Sequence, residues 1–218
     1  LNAAEVKAIA MDDPLIKRKM ELEIEVQRVK VLEKQYNRDR FMLQDKLAKE
    51  YPNTVQRLHR RIDCLEKDIA VRNERRRING KEIAFSMTIM GKQYTDRAEA
   101  GEELCKQAMT PKNQNQVIGE YMGMRLTPMM GGFMEYSLHV DGSTHHKTEI
   151  SASPVGTVRR IENAVDGLDA ELAGAKEDLH TVHTQIDLAK EKLDKPFERG
   201  EELRSMTKEL SSINAQLD

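Results

Sequence analysis

The sequence contains no tryptophan, and only 4% of its 218 residues are aromatic. A single compact globule of this length normally buries more large apolar surface, so the shortage argues against one well-filled core. Cysteine is scarce as well. Cys64 and Cys105 fall in different predicted elements and share no metal or redox spacing. They read as two ordinary thiols in a reducing compartment, which points to the cytoplasm. No apolar run approaches the ~20 residues that a membrane span requires, so no membrane partner is expected. There is no signal-peptide pattern and no initiator methionine; opening on Leu1-Asn-Ala-Ala-Glu5, the chain reads as a fragment of something longer. An excess of one charge is also missing. Lys and Arg number 35 against 37 Asp and Glu, so no global field favours nucleic acid or membrane, and any such patch must be local. What remains is a chain one-third charged, too hydrophobic and too periodic for disorder, with the composition of a long-helix or coiled-coil protein.

The periodicity is clearest towards the C-terminus. Ile161, Val165, Leu168, Leu172, Ala175, Leu179, Val182, Ile186, Ala189 and Leu193 follow one another in alternating steps of four and three. This is a heptad seam that presents one apolar stripe to one partner helix. Pro196 breaks it, because proline lacks a donor and its ring clashes with the preceding turn. Leu203, Met206, Leu210, Ile213 and Leu217 resume the rhythm. Near the N-terminus, Val55, Leu58, Ile62, Leu65 and Ile69 form a seam after Pro52, which suits a first helical turn. Before it, Leu22, Val26, Val29, Tyr36, Leu43 and Leu47 keep the spacing, with Glu33 and Arg40 intruding. A short leading helix from Asn2 is expected to stop at Asp12-Asp13-Pro14.

Between roughly 79 and 157 the composition changes, and this stretch holds nine of the twelve glycines and eight of the twelve methionines. Ile83, Phe85, Met87 and Ile89 alternate with Ala84, Ser86 and Thr88, a strand signal, and Gly91-Lys92 turns it towards Tyr94. Asp96-Arg-Ala-Glu99 is a capping-box pattern that opens a helix ending before Pro111. Strand-like runs follow at 116–127, 133–140 and 144–151, with turns at Met129-Met-Gly-Gly132 and Asp141-Gly142.

Residues 18–78 and 158–218 are equal in length, and each would extend ~90 Å as continuous helix. An insert joining equal arms implies that they fold back on each other. Charge supports the pairing: 55–81 carries nine basic and four acidic residues, net +5, and 158–194 carries five and nine, net −4. Opposite flanks favour these partners over self-pairing, although a parallel homodimer is the alternative. The expected fold is mostly α with a small α+β insert: a long antiparallel helical hairpin (coiled coil) carrying a mixed α/β domain at its tip. Its parts are an N-terminal helical arm over 1–78, the tip domain over 79–157 and a C-terminal helical arm over 158–218.

No catalytic pattern is present: GxxxxGK[ST], GxGxxG, HExxH, GxSxG and Pro-Pro are all missing. The chain is therefore expected to be no enzyme in itself and to need no cofactor. His180 and His183 are three apart on a helix and could share a metal, but no third ligand is in register, so they read as solvated helix residues. His139, His145 and His146 lie on or near a predicted hairpin, with no carboxylate or cysteine to complete a metal site in the sequence pattern.

The candidate nucleic-acid-binding residues are Arg72, Arg75, Arg76, Arg77 and Lys81, closing the first arm, with Arg159 and Arg160, opening the second. In an antiparallel hairpin they meet at the neck, and Arg57, Arg60 and Arg61 extend the positive face. Guanidinium groups suit phosphate bidentately, so such a collar could grip a nucleic-acid backbone. The bland reading is a solvated face neutralised by Glu162, Asp166 and Asp169. Met122, Met124 and Met134 are candidate core residues, whereas Met129 and Met130, at a predicted loop tip beside Pro128, are the candidate contact for a protein partner.

Three stretches carry a resemblance. Glu5-Val-Lys-Ala-Ile with Asp13-Pro-Leu-Ile-Lys-Arg-Lys-Met-Glu-Leu-Glu-Ile-Glu-Val, then Phe85-Ser-Met-Thr-Ile with Tyr94-Thr-Asp-Arg, then Arg160-Ile-Glu-Asn-Ala-Val-Asp-Gly-Leu resemble the C-terminal region of very large helicase–methyltransferase polypeptides of bacterial mobile elements and phages. In that family a superfamily-two helicase ATPase, often fused to an adenine-specific DNA methyltransferase, precedes such a segment. The resemblance implies a non-catalytic accessory module whose partners are DNA and the helicase and methyltransferase domains of the parent chain. The family's ATPase and methyltransferase motifs lie outside this sequence, so none of their residues is carried over. The alternative is a protein–protein interaction module with the helical hairpin as a rigid spacer.

Overall fold

The computed structural model of the chain describes residues 14–78, 85–132 and 135–217. The leading helix expected from Asn2, the strand residue Ile83 and the core candidate Met134 lie outside these residues. Most of the described chain is helical. In order come α1 (Pro14–Asp45), a π-helical turn (Lys46–Glu50), α2 (Tyr51–Ile78), β1 (Met87–Ile89), β2 (Lys92–Tyr94), α3 (Arg97–Ala108), β3 (Gly119–Tyr121), β4 (Met124–Met130), β5 (Tyr136–Asp141), β6 (His145–Glu149), α4 (Pro154–Asp166), α5 (Leu168–Asp194) and α6 (Gly200–Leu217). The chain divides into two compact units, Leu1–Asn53 with His183–Asp218, and Thr54–Val182.

In the first unit α1 packs antiparallel to α6. Arg18 makes a two-pronged ion pair with Glu209 at 2.7 and 3.0 Å, and Glu25 receives Arg199 at 2.9 Å, so position rises along one helix as it falls along the other. Leu22, Val26 and Val29 are buried, Val26 and Val29 packing with Leu203. The Arg40 that interrupts the apolar pattern has a structural use. Where Pro196 ends α5, carbonyls are left without helical donors; Arg40 Nη1 donates to the Leu193 carbonyl at 2.5 Å and Tyr36 Oη to that of Lys195 at 2.6 Å.

Pro52 does not open a helix, as its sequence position suggested. It sits inside helix directly after the π-helical turn, where the Tyr51 N–H donates to the Lys46 carbonyl five residues back. A proline in mid-helix clashes with the carbonyl four residues earlier; one widened turn relieves that clash and lets the helix continue.

The second unit is built on a six-stranded antiparallel sheet in the order β2-β1-β3-β4-β5-β6. Two of its turns share one sequence, Met-Gly, in Met90-Gly91 and Met122-Gly123. All four residues have positive φ, at 48°, 82°, 50° and 84°, the geometry of the hairpin turn whose twist matches that of its strands. The expected single strand over 116–127 is therefore two strands, β3 and β4. The turn is hard to read because that geometry prefers Asn or Asp at its first position, and Met122 is buried. The Asp96 cap is present: its Oδ1 accepts from the Ala98 and Glu99 N–H groups at 2.8 and 3.0 Å.

Helical seam and sheet share one core. Ile62 and Leu65 of α2, Ile161 and Val165 of α4 and Leu168 of α5 lie in the same buried cluster as Met87, Ile89, Leu126, Leu138 and Val140 of the sheet. The composition boundaries near 78 and 157 thus differ from the limits of this unit, which takes in the helical stretches on either side. Asp68 of α2, itself buried, fastens the β5–β6 turn: Oδ1 accepts from the Ser143 N–H at 2.6 Å, and Oδ2 from the Thr144 N–H at 2.7 Å and from Thr144 Oγ1 at 2.5 Å.

Replacing Asp68 by Ala strands two backbone donors and removes charge-assisted bonds, so a loss of about 2–4 kcal/mol is expected in urea unfolding; a loss below about 0.5 kcal/mol would show that the turn holds without it. Met90→Asn, at an exposed left-handed position, should stabilise the chain by about 0.5–1 kcal/mol, read as a higher Tm.

Candidate nucleic-acid interface

The collar residues have unequal fates. Arg72 follows Leu65 and Ile69 in seam register, and its side chain is only 3% exposed. Its Nη1 donates to the Val165 carbonyl at 3.1 Å and meets Asp169 at 2.8 Å, while Nε and Nη2 bond Asn73. Arg72 is thus a structural strut between α2 and the α4–α5 junction, and its guanidinium does not face solvent phosphate. The hydrogen bond from Arg72 holds the Asp169 carboxyl below its usual range, against the opposing effect of desolvation.

Arg75 pairs with Glu120 at 3.0 Å, Arg76 with Asp166, Arg77 with Glu74 at 2.7 Å and Arg160 with Glu149 at 3.3 Å. Arg159 is exposed and makes no ion pair among the described residues; Lys81 lies outside them. Two of the three carboxylates expected to neutralise the face, Asp166 and Asp169, do so. The third, Glu162, instead takes a forked bond from Arg97, which also sits 4.9 Å from the centre of the Phe85 ring. Nearby Tyr121 is pushed up to about 12, first by burial and then by the negative charges of Glu162 and Asp166. Arg75, Arg77 and Arg160 keep about half or more of their side-chain surface exposed. Pairs this exposed are worth about 0–1 kcal/mol each, so an arriving phosphate can displace the carboxylate.

A second group of cations, which sequence distance hides, gathers beside α2. Arg60 and Arg61 of α2 meet His145, His146 and Lys147 of β6 around a cavity of about 580 Å³. Glu171 is its one acidic lining residue, and it is occupied by Arg61 at 2.9 Å and His146 at 3.4 Å. Arg60 and Lys147 make no ion pair among the described residues. The turn that carries His145 is the one Asp68 holds, so the helix and strand cations are fixed relative to each other by a buried bond. The sequence signals were present separately, as Arg60-Arg61 on the helix and His145-His146-Lys147 on the strand; nothing local joined them.

Met129 and Met130 are not at a loop tip. They end β4, opposite Ser137 and Tyr136 of β5, with Met129 half-buried and Met130 exposed. The ladder continues to them because the chain turns later: the Gly131 N–H donates to the Glu135 carbonyl at 2.8 Å. Met122 and Met124 are buried. His145 lies 2.9 Å from Asp141; among the described residues no three His, Cys, Asp or Glu side chains gather as a metal site requires, and no helix is long and apolar enough to cross a membrane. No family model, curated protein or solved structure matches the chain.

Because the Asp169 carboxyl is more acidic folded than unfolded, its contribution is present above the ordinary carboxylate range and lost as pH falls through the lowered value. Asp169→Asn should therefore weaken the fold at neutral pH, with the difference from the parent vanishing at pH below that range, measured by urea titration at several pH values. An equal difference at both ends would show that the Arg72 contact is not responsible.

Proposed function

We propose that the chain is a non-catalytic, DNA-contacting accessory module of a larger helicase–methyltransferase polypeptide, gripping the phosphate backbone at the cavity between α2 and β6. The observation that carries this reading is the set of five basic or imidazole side chains around one cavity with a single, already occupied carboxylate. Phosphate contacts need no base identity, so such a site positions a protein on nucleic acid without reading sequence. Arg75, Arg77, Arg159 and Arg160 supply further exposed cations, and Arg72 is removed from the set because it is buried. Membership of the helicase–methyltransferase polypeptides rests on the sequence resemblance alone. In that reading the helices form a hairpin that spaces a sheet-bearing domain from the motor.

Fluorescence anisotropy with labelled duplex and single-stranded DNA at ~50 and ~200 mM salt tests the grip, since backbone affinity falls steeply over that range. Arg60→Ala with Lys147→Ala should weaken binding to all sequences alike and flatten the salt slope by about 0.9 for each duplex phosphate no longer neutralised. Absence of binding at low salt, or a double variant that binds like the parent, would leave the protein–protein reading in its place.

A further inference from the structure

Helix α1 carries a second apolar stripe. Val26 and Val29 are buried against α6, whereas Met20, Ile24 and Val31 are 46%, 57% and 64% exposed. At about 100° per residue these three project from roughly the opposite side of the helix. Ile24, Gln27 and Val31 line a shallow apolar groove there. The steps from Met20 through Ile24 and Gln27 to Val31 are four, three and four, the spacing of a two-helix seam. No described residue covers it.

The charges beside this stripe select its occupant. Glu21 and Glu23 flank its N-terminal half, and Arg28 and Lys30 its C-terminal half. A second copy of α1 running antiparallel, related by a two-fold axis through the Ile24–Gln27 layer, sets Met20 against Val31 and Ile24 against Gln27. It also brings Glu21 beside Arg28 and Glu23 beside Lys30, each pair occurring twice. A parallel pair would match only Glu23 with Arg28 and place Lys30 beside Gln35. Within the chain Glu21 and Arg28 make only long, exposed contacts, with Arg18 at 3.9 Å and Glu25 at 3.7 Å. Glu23 and Lys30 make no ion pair among the described residues, so all four are available at little cost.

We propose that this face of α1 is a self-association surface, on which a second copy of the chain docks antiparallel. The seam is about 18 Å long, so association is concentration-dependent and weaker than that of a standard-sized interface. It is independent of the cavity between α2 and β6 and is tested without nucleic acid.

Sedimentation equilibrium of the full chain over roughly 10–500 μM covers the expected range. The parent should show a monomer–dimer equilibrium. Glu23→Lys and Lys30→Glu, both surface changes whose folding circular dichroism will check, should each weaken dimerisation about tenfold by turning two attractive pairs repulsive. An equimolar mixture of the two variants should recover parental affinity as a heterodimer. In the mixed pair the lysine introduced in one chain meets the glutamate introduced in the other, and the remaining Lys30 meets the remaining Glu23. The double charge swap should recover it as a homodimer. A parent that stays monomeric throughout overturns the proposal. So does a Lys30→Glu variant that dimerises like the parent, the result a parallel pair or another surface would give.

Discussion

The buried carboxylate of Asp68 is the constraint on which the sheet-bearing unit depends. A carboxylate taken out of water is costly unless strong donors replace its hydration. Here two backbone N–H groups and one hydroxyl do so, all from the β5–β6 turn. The exchange works in both directions, since turn amides that would otherwise need solvent are satisfied by a helix side chain. As a result the strand bearing His145, His146 and Lys147 is fixed against the helix bearing Arg60 and Arg61, and the cavity between them is set by a bond instead of by loose loop packing. One turn further along α2, Arg72 joins the same helix to the Val165 carbonyl and Asp169. The helix is thus tied by an acid to the sheet and by a base to its neighbouring helices, around an otherwise apolar core.

Much of this was legible in the sequence. Spacing of apolar residues identified the helical stretches, Pro196 marked the end of α5, and the Asp96 cap, the β1–β2 turn and the Asp141-Gly142 turn could be read from local chemistry. What escaped has a common cause: the meaning of a residue was set by a partner distant in the chain. Arg72 stands in seam register three positions after Ile69, a signal that it points inward, yet a run of arginines invites the opposite reading. Asp68 looks like any helix-surface acid until the β5–β6 turn is placed beside it. The Met122-Gly123 turn was hidden because its first residue lacks the usual chemistry and serves the core instead. Pro52 was misread because a π-helical turn is a backbone adjustment with no side-chain signature.

Near-neutral composition hid the candidate interface in a related way. Opposite charges were expected to cancel across the helices, and for Arg72 and Arg76 they do so with Asp169 and Asp166. Cancellation at the surface differs from cancellation in the interior, however. An exposed pair such as Arg77–Glu74 spends little energy on its geometry, so its cation remains available to a polyanion carrying many charges. The buried Arg72 is tied to a carbonyl as well as a carboxylate and has no such freedom. Exposure, more than charge count, separates cations that can meet phosphate from those that hold the fold.

The same distinction applies to apolar residues on α1. A heptad pattern tells how many stripes a helix has, but not which stripe its own chain will cover. On α1 the buried stripe is interrupted by Glu33 and Arg40, and the exposed one by Gln27, so hydrophobicity alone ranks them poorly. The choice is made by α6, whose Leu203 meets Val26 and Val29 and whose Glu209 meets Arg18. Once that side is taken, Met20, Ile24 and Val31 are left facing outward, bordered by acids at one end and bases at the other. A stripe with this polarity is complementary to its own reversed copy, and that symmetry distinguishes it from apolar residues scattered over a protein surface.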